Sequence, residues 1–127
     1  MGKLSKSEES RTVVVIEEST DNIYSFRFIL QSLGYNAVGM EVNARFAASL
    51  EKLEPDVVII DLMVPGADAL DLLKAVRHLC PKPVKILAIT ADAVPYSEEQ
   101  IRAAGADDLV VKPYSVSDVQ EKLESAG

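Results

Sequence analysis

A chain of 127 residues suffices for one domain around one core and is short for two. Hydrophobic residues make up 48% and charged residues 26%, a globular composition and not a disordered one. A formal net charge of −7 and a pI near 4.7 exclude general affinity for nucleic acid or an anionic membrane, so no direct nucleic-acid contact is expected.

No apolar run approaches the roughly 20 residues that span a bilayer, so no membrane partner is expected. The first residues lack the hydrophobic stretch of a signal peptide, and Cys80 is the only cysteine, so no internal disulfide can form. A cytoplasmic location is the simplest expectation. His78 beside Cys80 suggests a metal site, but two such residues before Pro81 read as ordinary helix-end residues.

Residues 1 to 11 are polar, charged and aperiodic, and read as a flexible tail. Val13–Ile16 is a short apolar run, the mark of a strand buried on both faces, and it ends in Glu17 and Glu18. A helix from about Asp21 carries Ile23, Phe26, Ile29, Leu30 and Leu33 at helical spacing and stops at Gly34. Tyr35–Met40 is a weaker strand. Asn43 is placed to cap a second helix through Ala44, Ala47, Leu50 and Leu53, which ends before Pro55. Val57–Ile60 is the next buried run and ends in Asp61, followed by the turn-rich Leu62-Met63-Val64-Pro65-Gly66. A third helix spans about Asp68 to His78 with Leu70, Leu73 and Val76 inward. Ile86–Ile89 then ends in Thr90. Ser97 with Gln100 forms a capping box for a fourth helix, closed by Gly105. Leu109–Val111 leads into Lys112-Pro113, and Ser117 with Gln120, or Ser115 instead, starts a last helix through Leu123.

Five strands alternating with five helices predict an α/β fold, a parallel sheet with helices on both faces. If the strands are parallel, their polar terminal residues share the edge where open α/β sheets place ligands. Each residue alone has an ordinary reading: a lone Asp after a strand is usually a turn residue, and Lys-Pro is a turn. Their coincidence on one edge favours a site. Glu17, Glu18 and Asp61 suit a hard divalent cation such as Mg²⁺. Asp61 can act as a nucleophile, Lys112 can neutralise phosphate charge and Thr90 can donate a hydrogen bond to a phosphate oxygen.

The stretches from Val13 to Asn22, Pro55 to Gly66, Ile86 to Ala91 and Ala104 to Pro113 resemble the receiver domain of two-component response regulators. The resemblance covers roughly Thr12 to Leu123, with residues 12–124 as the receiver domain. It implies a flavodoxin-like (CheY-like) doubly wound five-stranded parallel sheet in the order 2-1-3-4-5 with five helices. It implies that Asp61 accepts a phosphoryl group from a sensor histidine kinase or a histidine phosphotransfer protein. Glu18, Asp61 and the Met63 backbone carbonyl would bind Mg²⁺ directly, with Glu17 acting through a water. Thr90 would be the switch hydroxyl and Lys112 the lysine that pairs with the phosphate, its bond to Pro113 cis. The domain would be a signalling switch and not an enzyme in the ordinary sense, although it assists its own phosphorylation and dephosphorylation.

Three positions depart from the family's pattern. Glu18 stands where Asp is usual, and its extra methylene must be absorbed by a shifted metal or an added water. Leu109 stands where many relatives carry an aromatic residue that rotates with the threonine. Ala69 stands where a Gly often follows the Pro-Gly loop, which would stiffen that turn.

Output is expected by docking to a downstream protein through the fourth helix, fifth strand and fifth helix. Ile101, Ala104, Leu109, Tyr114 and Val116 are the candidate surface residues, with Tyr114 and Ile101 equally readable as packing residues, and a homodimer is a further option on that face. No effector segment follows Leu123 in the sequence, which fits either a stand-alone receiver or one domain of a longer chain. The alternative is a phosphorylation-independent pseudo-receiver that works as a binding module. A small α/β enzyme is disfavoured, because neither G-x-G-x-x-G nor a P-loop is present.

Overall fold

The computed structural model describes residues 11–17, 20–63, 68–80, 83–91 and 94–124, with the backbone alone for 20–25. Five strands, β1 (Thr12–Ile16), β2 (Asn36–Met40), β3 (Val57–Asp61), β4 (Lys85–Thr90) and β5 (Asp108–Val111), form one parallel sheet in the order β2-β1-β3-β4-β5. Between and after them run α1 (Thr20–Ser32), α2 (Phe46–Leu53), α3 (Ala69–Leu79), α4 (Glu98–Ala103) and α5 (Val116–Glu124). This is the doubly wound order expected from the sequence.

Alternation along the strands builds two cores. Val14, Ile16, Val58, Ile60, Ile86 and Ala88 face α2, α3 and α4, where Leu50, Leu73, Val76 and Ile101 meet them. Val13, Val15, Val57, Ile59, Leu87 and Ile89 face α1 and α5, meeting Phe26, Leu30, Val119 and Leu123. Because both faces are covered, the central strands carry no polar face, which is why they read as continuous apolar runs.

Helix starts differ from the sequence reading in two places. Asn43 does not cap α2. Its side chain instead accepts from the Arg45 N–H at 2.9 Å, a local turn that delays the helix to Phe46 and leaves Ala44 outside it. At α5, Ser115 is the cap: its Oγ accepts from the Asp118 N–H at 3.1 Å while the Asp118 carboxylate accepts from the Ser115 N–H at 2.9 Å. Asp118 thus closes a capping box that Ser117 and Gln120 do not form. The Ser97–Gln100 box stands as expected. Asp68 caps α3, and Ala69 is its first helical residue, buried in the core and not part of a turn.

At the opposite end from the acidic strand tips, Arg77 of α3 ties three segments together. Its guanidinium donates to the carbonyls of Val84 and Gly105 at 2.7 and 2.6 Å and pairs with Asp107 at 2.8 Å. Gly105 turns the chain there with φ +129, a conformation open to glycine at little cost.

Burial predicts where the fold is sensitive. Leu73 is fully buried in the α3 core, so Leu73→Ala is expected to lower unfolding free energy by about 2–5 kcal/mol in urea titrations. Phe28, 75% exposed on α1, is the contrast: Phe28→Ala is expected to change stability by less than about 0.5 kcal/mol.

Candidate functional site

Parallel pairing carries four strand ends to the same edge. Ile16 lies beside Ile60, Asp61 beside Ile89 and Thr90 beside Val111. Backbone bonds continue the alignment past the strands: the Leu62 N–H donates to the Ile89 carbonyl at 2.9 Å, and the Lys112 N–H to the Thr90 carbonyl at 2.8 Å. Glu17 follows the last residue of β1 and donates its N–H to the Met40 carbonyl at 3.3 Å. Residues from both ends of the chain become neighbours.

Asp61 is the centre of this group and only 3% exposed. A carboxylate so placed needs donors and an opposite charge. Lys112 Nζ lies 2.7 Å from its Oδ2, and the Met63 N–H donates to its Oδ1 at 2.8 Å. The Glu17 carboxyl shares a further hydrogen bond with it. Burial pushes the Asp61 pKa upward, but the bonds to Glu17, Lys112 and the Met63 amide, with the Lys112 charge, outweigh it and hold the acid below its ordinary value. At neutral pH the buried group is therefore an ionised carboxylate.

Two acids that meet this way repel when both are charged, and a hard cation relieves that repulsion. Glu17 and Asp61 are the acids brought together among the described residues, where no group of three His, Cys, Asp or Glu side chains forms. Glu18, expected as a direct ligand, lies outside the described residues, as do Val64-Pro65-Gly66. Met63 stands at the mouth of the site with an exposed side chain. Thr90 ends β4 nearly buried, and the Lys112–Pro113 bond is cis.

Tyr114 is a further neighbour, which the sequence leaves open between the outer face of the fourth and fifth helices and a packing role. The packing role is the one observed: its ring lies on Phe26 of α1, centroids 5.4 Å apart. Burial, then the negative charges of Asp61 and Glu17, push its phenol up to about 12. Its position two residues beyond Lys112 is the signal that it accompanies the site. Of the two readings of Ile101, packing is the one observed, at 1% exposed, and Ala104 leaves the expected surface at 5%, because their spacing points them at the sheet. Val116 is exposed and Leu109 half-buried. That face is dominated by charge instead: Arg102 pairs with Glu98 and Asp108, and Lys122 also pairs with Asp108.

Cys80 and His78 form no site with a third ligand among the described residues. Cys80 is the cap residue that follows α3, and burial raises its thiol pKa against the lowering effect of Arg77. A thiol so shifted is a poor nucleophile.

The model of the response regulator receiver domain matches residues 13–124. The chain belongs to this family. Among curated relatives, the receiver is 30% identical over 116 residues to the transcriptional regulatory protein KdpE of Mycobacterium tuberculosis, covering 90% of this chain and 50% of that protein. It is 25% identical over 122 residues to the polar-differentiation response regulator DivK of Brucella ovis, covering 91% and 95% of the two chains. The receiver therefore spans about half the length of the KdpE relatives and nearly all of DivK. Among solved structures, the chemotaxis response regulator CheY4 of Vibrio cholerae superposes with a TM-score of 0.78 at 25% identity, covering 91% and 97% of the chains. The family is a signalling one, with a phosphoacceptor role in two-component systems. No helix among the described residues is long and apolar enough to cross a membrane.

The Tyr114 environment has a titration consequence. Since its folded pKa of about 12 lies above the ordinary phenol value near 10, the stability it contributes is intact below pH 10 and is lost as pH rises toward 12. Phenolate absorbance should show one tyrosine ionising near pH 12 that is missing from Tyr114→Phe and moves lower in Asp61→Asn. A Tyr114 phenol that titrates near 10 contradicts this packing.

Proposed function

We propose that this receiver takes a phosphoryl group on Asp61 from a phosphohistidine of a sensor histidine kinase or a histidine phosphotransfer protein. The observation that carries the reading is a buried, ionised carboxylate with a lysine ammonium 2.7 Å from one of its oxygens. A carboxylate oxygen of Asp61 attacks phosphorus, a P–O bond forms, the P–N bond breaks, and the electron pair leaves with the imidazole. Lys112 loses its partner charge as the acyl phosphate forms and turns to a phosphate oxygen. Thr90 donates its hydroxyl hydrogen to another phosphate oxygen. Glu18, Asp61 and the Met63 carbonyl would hold Mg²⁺, with Glu17 through a water. Bound there, the ion supplies charge neutralisation for the equatorial oxygens. Hydrolysis of the acyl phosphate at the same site resets the switch.

The proposed setting is the cytoplasm, where the partner kinases present their histidines. The proposed output is docking of a downstream protein, or of a second copy of the chain, on the α4–β5–α5 face, where Val111 and Val116 are exposed beside the charged pairs. Phosphorylation biases that face between two states.

Intact mass after incubation with Mg²⁺ and acetyl phosphate tests the reading. One phosphoryl adduct is expected, absent without Mg²⁺ and absent in Asp61→Asn. Lys112→Ala is expected to slow adduct formation about 100-fold or more, as loss of one charge-stabilising donor commonly does. Glu18→Asp is expected to lower the Mg²⁺ concentration at half-maximal rate, because the shorter side chain suits octahedral geometry better. No adduct under any of these conditions points to a phosphorylation-independent binding module.

A further inference from the structure

A cleft of about 410 Å³ opens between the β4–α4 connection, α4 and β5. Thr90, Tyr96, Ile101 and Leu109 line it beside the pairs that Arg102 and Lys122 make with Asp108. A cavity of roughly 150 Å³ already holds a benzene ring, so the cleft has room for a phenol. Leu109 is too short to fill it, and the nearest ring is that of Tyr96, half-buried against the same core cluster as Ile101.

The position of Tyr96 is unusual in a second way. Ser97 is the N-cap of α4 and closes a capping box with Gln100. Tyr96 is therefore the residue just before the cap and Ile101 the fourth helical residue, the two places that form a hydrophobic staple and set the angle at which the chain enters a helix. A ring that moves at this position re-aims α4. Thr90, which also lines the cleft, is bonded through its carbonyl to the Lys112 N–H, and Lys112 is paired with Asp61. One cleft thus touches the phosphorylation edge at Thr90 and the helix entry at Tyr96.

We propose that Tyr96 reads the phosphorylation state: when the Thr90 hydroxyl is drawn toward a phosphoryl group on Asp61, the Tyr96 ring moves into the space beside Leu109 and carries the start of α4 with it. The proposal rests on the phosphoacceptor reading above and adds the residue that transmits it. The surface that changes is then the Val94–Tyr96 segment and the first turn of α4.

The test is ¹⁹F NMR of the full chain labelled with 3-fluorotyrosine, with the Tyr96 resonance assigned by its loss in Tyr96→Phe. Addition of Mg²⁺ and beryllofluoride is expected to shift that resonance, and Asp61→Asn to abolish the shift. Leu109→Phe, which fills the cleft with a fixed ring, is expected to leave acetyl phosphate labelling intact while the Tyr96 resonance no longer responds. An adduct by mass with an unmoved Tyr96 resonance overturns this proposal and leaves the phosphoacceptor reading standing. An undiminished response in Leu109→Phe overturns the route through the cleft. Absence of any adduct in the parent chain overturns both.

Discussion

A carboxylate buried at the end of an apolar strand costs several kcal/mol unless charge and hydrogen bonds meet it there. Asp61 is in that position, and the pairing with Lys112 at 2.7 Å, together with the Met63 amide and the Glu17 carboxyl, is what allows it to remain ionised. The rest of the architecture serves this meeting. β3 lies in the middle of the sheet with β4 beside it, and β5 must be the next strand out for Lys112 to reach inward. The crossover helices that enforce the order are held by two separate apolar cores, so polar groups gather at the two ends of the central strands and not along their faces.

The two ends of the sheet are stabilised differently. At the far end, Arg77 spends its guanidinium on two carbonyls and Asp107, joining α3 to the turns before β4 and β5. These contacts keep the lower ends of the strands in register and involve no reactive group. The charged pairs on the α4–β5–α5 face are partly exposed, and such pairs contribute little stability in water. Their effect is on what can dock there: neighbouring acids and bases already satisfy one another, and the large apolar side chains well exposed on that face are Val111 and Val116.

Two tyrosines flank the site on opposite faces of the sheet, and their surroundings differ. Tyr114 is clamped against Phe26 and faces the acids, a setting that favours a fixed neutral ring. Tyr96 borders open space beside Leu109 at the entry to a short helix. Conformational response belongs where packing is incomplete, since a close-packed interior has no room for a ring to move. By that contrast Tyr96, and not Tyr114, is the ring with room beside it.

Much of this was legible in the sequence because burial on both faces leaves a plain mark. Val13–Ile16, Val57–Ile60 and Ile86–Ile89 read as central strands, and parallel winding then brings Glu17, Asp61, Thr90 and Lys112 to one edge. The Ser97–Gln100 box was readable for the same reason, being a purely local pattern of donors and acceptors. Asn43 and Ser117 misled because several side chains nearby can bond the same backbone groups, and tertiary placement of the helix selects among them. The direction of Tyr114, the burial of Ile101 and Ala104, and the clamp made by Arg77 depend on contacts between segments distant in the chain, which no local spacing encodes. The sequence by itself determined the strands and hence which polar tips share the edge. Only the tertiary structure decided which face each aromatic ring occupies and where a cleft remains, because those follow from how whole helices pack on the sheet.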